Sequence, residues 1–101
     1  MDSAAQRAIE KALHGDWKEA VVLNEQILKD NPGNKEALNR LARAYLELGK
    51  LRKATTYYKK VLTIDPYNGI AKKSLDRLGA MKSKLNGDQP QETPSKQGLN
   101  S

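Results

Sequence analysis

Leu38-Asn39-Arg40-Leu41-Ala42-Arg43-Ala44-Tyr45, followed by Gly49, Ala54-Thr55-Thr56-Tyr57-Tyr58 and Asp65-Pro66, decides the reading of this 101-residue chain. Leu38, Leu41, Ala42 and Tyr45 recur at the three-and-four spacing of one helical face, and Ala54 and Tyr58 do the same in the segment after Gly49. The punctuation repeats at a fixed step of 34 residues, which carries Gly15 to Gly49, Ala20 to Ala54 and Pro32 to Pro66. Self-similarity at that length implies a stacked helical hairpin, a unit that cannot bury its apolar face alone and must lean on a neighbour. Such stacking produces a binding surface rather than a catalytic pocket.

Outward from this stretch, five helices are expected. Residues 3–14 place Ala5, Ala8, Ile9, Ala12 and Leu13 on one side, and Gly15 ends that helix by taking the left-handed conformation. Asp16 caps a second helix with Trp17, Ala20, Val21, Ile27 and Leu28 inward, stopped by Asp30-Asn31-Pro32-Gly33-Asn34. A third runs from about Glu36 to Leu48 with Leu38, Leu41, Ala42, Tyr45 and Leu48 inward, and a fourth from about Leu51 to Ile64 with Leu51, Ala54, Tyr58, Val61 and Leu62. A fifth, about Ile70 to Leu85, carries Ala71, Leu75, Leu78 and Leu85 on one side and is expected to cap the stack, with Met81 trimming that interface. The chain divides accordingly into a first repeat at 1–34, a second at 35–68, a capping helix at 69–85 and a disordered tail at 86–101 rich in Gly, Gln, Pro, Ser and Lys.

Composition narrows the function. With no cysteine there is no disulfide framework, thiolate nucleophile or thiolate ligand. His14 is the single imidazole, placed at the end of the first helix where a cation complements the dipole; no second histidine or paired carboxylates at ligand spacing accompany it, so no metal is expected. The glycines are separated turn or helix residues and form no phosphate loop. Neither an enzyme nor a cofactor is expected. No run of about 18 apolar residues is available to span a bilayer, and the opening Met1-Asp2-Ser3 stretch lacks a secretory layout, so the expected location is cytoplasmic.

The net charge of +6 is unevenly placed: residues 1–34 hold four bases against six acids, residues 35–68 eight against three. A basic second half favours an anionic partner, although solubility alone explains a basic surface equally well. Arg52, Lys53, Lys59 and Lys60, with Lys50 and an interleaved Tyr57, form a stripe along the fourth helix able to meet phosphates. One tyrosine is a poor stacking platform and no base-reading motif exists, so a nucleic-acid partner is the lesser expectation.

The second repeat resembles the tetratricopeptide repeat family: Leu38-x2-Leu41-Ala42-x2-Tyr45, Ala54-x3-Tyr58 and Pro66 follow its pattern. The resemblance implies an all-α solenoid of two antiparallel hairpins plus a capping helix, with small residues (Ala8, Ala20, Ala42, Ala54) where helices cross closely, Tyr45 and Tyr58 filling the space between hairpins, and Trp17 as an aromatic wedge within the first. The first repeat departs from the pattern, since Arg7, Lys11 and Asn24 stand where Leu41, Tyr45 and Tyr58 stand in the second. Two orientations of the first helix are therefore open. In the expected one it is a rotated cap, with Ala5, Ile9 and Leu13 packed on its partner helix. In the other, Ala5, Ile9, Ala12 and Leu13 face the concave side with Leu46 and make an apolar groove suited to an apolar ligand or a second copy.

The family's concave face is lined by the first helix of each hairpin. By the match this places Glu36, Asn39, Arg40, Arg43, Leu46 and Glu47 there, with Ile70, Lys73, Ser74 and Arg77 from the cap. Asn39, Arg40, Arg43, Leu46, Lys73 and Arg77 are the candidate partner-binding residues: guanidinium and ammonium groups hold carboxylates, and an asparagine amide holds extended backbone. The implied function is a non-catalytic adaptor for a peptide or protein, with an acidic segment or C-terminus as partner; a homo-oligomerising module is the alternative. Some family members clamp acidic chaperone C-termini through Lys, Asn, Asn, Lys and Arg. Those positions fall here on Ala5, Ile9, Arg40, Ile70 and Ser74, which argues against that activity.

Overall fold

The structure is a computed structural model that describes residues 3–85, the side chains of 82–85 excepted. The expected disordered tail at 86–101 lies outside the described residues, as do the side chains of Lys82, Lys84 and Leu85. The described residues hold five helices and no strand: α1 Ala4–Leu13, α2 Trp17–Asp30, α3 Lys35–Glu47, α4 Leu51–Ile64 and α5 Gly69–Leu85. Consecutive helices pack on one another, and α1 also reaches α3. The chain is all-α, as expected from the pattern.

Local chemistry sets the boundaries. Ser3 and Gln6 close a reciprocal capping box at the start of α1, and Asp16 accepts from the Glu19 N–H at the start of α2. Asn34 accepts from the Ala37 N–H and Asn68, one period later, from the Ala71 N–H, both at 3.0 Å. The period thus extends into α5. α3 begins at Lys35, a residue earlier than the spacing suggests, because Asn34 serves as its cap. Gly15 and Gly49 have φ of 74° and 78°, the left-handed region that lets the chain reverse after α1 and α3. The His14 ring donates its Nδ1 proton at 2.8 Å to the Glu10 carbonyl, which also accepts the His14 backbone N–H at 3.1 Å.

The core is concentrated in α3 and α4. Leu38, Leu41, Ala42, Tyr45, Ala54, Tyr58 and Val61 are buried together, joined by Ala71 and Leu78 from α5, with Val21, Leu28, Leu51, Leu62 and Leu75 half-buried against them. Ala8, Ala20, Ala42 and Ala54 have almost no exposure, as close helix crossings require. Leu23, Ala37 and Ala44 are buried although the expected stripes omit them. Met81 is 39% exposed. Across the hairpins, the Tyr45 hydroxyl donates to Glu25 Oε2 at 3.0 Å and the Tyr45 ring stacks on Tyr57 at 5.7 Å. Burial first, then the Glu25 hydrogen bond and charge, push the Tyr45 hydroxyl up to about 12.

A polar tie joins the beginning of α3 to the end of α4. Lys35 Nζ pairs with Asp65 Oδ2 at 3.2 Å, and Asn68 Nδ2 donates to the same oxygen at 3.3 Å. The Lys35 hydrogen bond, followed by that from Asn68, holds the Asp65 carboxyl below the usual carboxylate range.

Candidate binding groove

A groove of about 680 Å³ opens where α1, α3 and α5 face one another. Its wall contains Ile9 and Leu13 from α1, Asn39, Arg40, Arg43 and Leu46 from α3, and Lys73 and Arg77 from α5, together with Ala12, Trp17, Glu47, Ile70 and Ser74. Glu36, placed on the same helix face by its spacing, is not in the lining.

The apolar side comes from α1 and the start of α5. Ile9 is 43%, Leu13 80% and Ile70 62% exposed. The rotated-cap orientation of α1 is therefore corrected: Ile9 and Leu13 do not pack on α2. The reason lies in the residues on the other sides of α1. Ala8 supplies its buried contact, and the cationic Arg7 and Lys11 stay in solvent, so turning the helix to bury Ile9 would withdraw the small side chain that permits close approach. Trp17 is half-buried and reaches the groove wall, where the Arg43 guanidinium lies 5.6 Å from its ring centre.

The cationic side is not a uniform cradle. Arg43 Nε donates to Glu47 Oε2 at 2.7 Å, so its charge is matched within α3. Arg40 Nε donates at 2.9 Å to Oδ1 of Asn24, a completely buried side chain of α2. Burial lowers the proton affinity of the Arg40 guanidinium, with Glu36 acting in the opposite sense. Lys73 and Arg77 have no ion-pair partner among the described residues. Asn39 donates Nδ2 to Asn68 Oδ1 at 3.3 Å, while its own Oδ1 is buried without a partner among the described residues. That amide is committed to tying α3 to the cap of α5.

The sequence singled out Asn24 as a departure from the repeat but did not pair it with Arg40. A polar residue at the register of buried Tyr58 is the signal, because a buried amide needs partners: its own helix supplies the Ala20 carbonyl for Nδ2, and Arg40 of the next helix reaches Oδ1.

On the opposite face, a cleft of about 580 Å³ lies between α2 and α4, with Glu25, Lys29, Tyr57 and Lys60 in its lining. Arg52, Lys53, Lys59 and Lys60 are exposed, as the stripe implies. The Tyr57 ring, however, is stacked on Tyr45, and Lys60 Nζ stands 5.0 Å from its centre. Its face is occupied rather than offered to a base.

Among the described residues no cluster of three or more His, Asp or Glu is placed to hold a metal, and no helix is long and apolar enough to cross a membrane. The sequence model of the tetratricopeptide repeat family matches residues 11–75. Similar proteins include FK506-binding protein-like of Mus musculus, 43% identical over 54 residues, which is 54% of this chain and 16% of that protein. Sperm-associated antigen 1 of Mus musculus is 39% identical over 62 residues, 61% of this chain and 7% of that protein. Heat shock protein STI1 of Saccharomyces cerevisiae is 42% identical over 53 residues, 52% of this chain and 9% of that protein. The chain thus spans only a small part of the length of these relatives.

Proposed function

This chain belongs to the tetratricopeptide repeat family, and we propose that it is a non-catalytic adaptor that holds a peptide segment of its partner in the groove between α1, α3 and α5. Family membership supports the coarser statement, a protein–protein interaction module. The finer reading rests on one observation: Lys73 and Arg77, without an ion-pair partner among the described residues, share a groove with exposed Ile9, Leu13 and Ile70. A segment that offers aliphatic side chains beside carboxylates matches both sides, burying apolar surface while its acids meet the cations of α5. Leu46 lies between the two sides and Asn39 helps fix the frame.

The groove stands on helices held by buried packing, so a ligand needs little rearrangement of the protein. An affinity of about micromolar, close to 8 kcal/mol, is expected for so short a contact. The test is titration of a fluorescent, end-blocked peptide of alternating leucine and glutamate into the full chain and into Lys73→Glu with Arg77→Glu. Weakening by tenfold or more, with an unchanged melting temperature, is the expected result. Equal affinity in the two proteins would place the partner elsewhere.

A further inference from the structure

The face opposite the groove is built as a second surface. The cleft of about 580 Å³ between α2 and α4 has an apolar floor: Leu38 and Leu41 of α3 lie buried beneath it, Leu28 is half-buried in its wall, and Val22 stands 44% exposed at its α2 edge. Its α4 edge is cationic. α4 contains no carboxylate, and Lys53 and Lys60 are exposed without an ion-pair partner among the described residues, as is Lys29 on the α2 side. Glu25, the acid in the lining, accepts the Tyr45 hydroxyl proton at 3.0 Å.

The two lysines of α4 have defined resting places. Lys53 Nζ stands 5.2 Å from the centre of the Tyr45 ring and Lys60 Nζ 5.0 Å from that of Tyr57, and the two rings stack on each other. Each ammonium lies against an aromatic face, so a partner that meets it removes less side-chain freedom. Lys53 and Lys60 are seven residues apart on one helix, which puts them on the same side about 10.5 Å from each other along the axis.

Phosphates match the charge of this edge but draw nothing from the leucines and valine beside it, and the covered Tyr57 ring offers no face to a base. A protein segment uses both features. An extended segment would leave its N–H and C=O groups over an apolar floor, because the middle turns of α2 and α4 bond their backbone groups within each helix. A helical segment satisfies its own backbone and seats its side-chain ridges between those of two neighbouring helices. Acids seven residues apart on such a helix recur at the spacing of Lys53 and Lys60.

We propose that the α2–α4 face is a second docking site, which takes an amphipathic helix of a partner protein with its aliphatic side chains over Val22 and Leu28 and its acidic flank along Lys53 and Lys60. The site is separate from the groove between α1, α3 and α5 and does not depend on it. A chain with both faces joins two partners.

The probe is a fluorescent, end-blocked peptide of about 18 residues with leucine at the first and fourth positions of each heptad, glutamate at the fifth and seventh, and alanine or glutamine elsewhere. One companion has lysine for every glutamate; another has the same composition in an order without amphipathic period. Titrated into the full chain at about 0.15 M salt, the acidic probe is expected to bind about tenfold or more tighter than either companion and to gain helix by circular dichroism. Lys53→Glu with Lys60→Glu is expected to weaken it about tenfold or more, and Val22→Gln about fivefold, with the melting transition kept. Should the charge-reversed chain lose its melting transition, Val22→Gln decides: parental affinity overturns the proposal. If affinity falls instead in Lys73→Glu with Arg77→Glu and holds in Lys53→Glu with Lys60→Glu, the probe lies in the groove, so the proposal fails and the groove reading stands. If the companion without period binds as tightly as the probe, or a duplex DNA oligonucleotide binds through the same lysines more tightly than both, the face is a general polyanion surface and the proposal fails. Absence of binding by the acidic probe at about 1 mM overturns it as well.

Discussion

At the register where α3 carries Leu41 and Tyr45, α1 carries Arg7 and Lys11; where α4 carries Tyr58, α2 carries Asn24. The two hairpins have the same turns and the same close alanine crossings, yet the second holds the tyrosines and most of the leucines of the core. The first keeps Ile9 and Leu13 in the groove wall and places an amide where the second places an aromatic ring. A period therefore fixes where helices start, stop and cross, while the residues at its apolar register decide which hairpin carries stability. The hairpin relieved of that demand can give its exposed side chains to binding.

The largest difference is expected from placing the same charge at one register in both hairpins. Leu41→Asp puts a carboxylate into a site with no exposure and is expected to cost about 4 kcal/mol or more, against a total stability of roughly 5, so that circular dichroism shows no cooperative melt. Arg7→Asp, at an exposed position, should stay within about 0.5 kcal/mol of the parent. Similar losses from the two variants would break the assignment of the core to the second hairpin.

Truncation one register further along sharpens the contrast. Tyr58→Ala is expected to cost about 3 to 5 kcal/mol, through the cavity it leaves. Asn24→Ala should cost about 1 to 3 kcal/mol, through the unpaired Arg40 Nε. Urea midpoints at constant slope measure both.

The bond between the hairpins is tested by Tyr45→Phe, expected to cost about 1.5 kcal/mol with the loss of the hydrogen bond to Glu25. It also has a pH signature. The Tyr45 hydroxyl is raised from 10.0 to about 12 in the folded chain, so between those values the unfolded chain has released a proton that the folded chain retains. The unfolded state then binds fewer protons, and stability falls as pH rises through that window. Tyr45→Phe should remove its share of the alkaline loss, as read by melting temperatures from pH 9 upward.

The smallest change is a gain. Asp16 and Lys50 begin α2 and α4 with nearly the same backbone, φ −87° and ψ 74° against φ −92° and ψ 73°, but only Asp16 provides a side-chain cap. Lys50→Asp copies the first hairpin into the second and should add about 1 kcal/mol, or about 4 to 8 °C in melting temperature. No increase would mean that the helix starts differ in more than the cap residue.

Most of the helical architecture is legible in the sequence. The caps, the glycine reversals and the apolar stripes of α3 and α4 are properties of neighbouring residues, and five helices follow from them. The candidate site was legible as a set of positions on helix faces, because spacing places side chains on one side of a helix. What those side chains do was not. Spacing leaves Arg43 and Arg40 as open cations, whereas each is engaged, one with Glu47, the other with Asn24. The orientation of α1 stays open in the sequence because an amphipathic stripe gives the direction of an apolar face without saying whether a neighbour is there to cover it.

The amino-acid order alone determined the helices, their ends and their 34-residue recurrence, because caps, turns and periodicity act over a few residues of backbone. The three-dimensional packing alone decided that Asn24 supports Arg40, that Tyr45 reaches Glu25 and that Ile9 and Leu13 remain in the groove wall. Those outcomes depend on the distance and angle between helices, which no single segment encodes and which are set when all the buried side chains are packed at once.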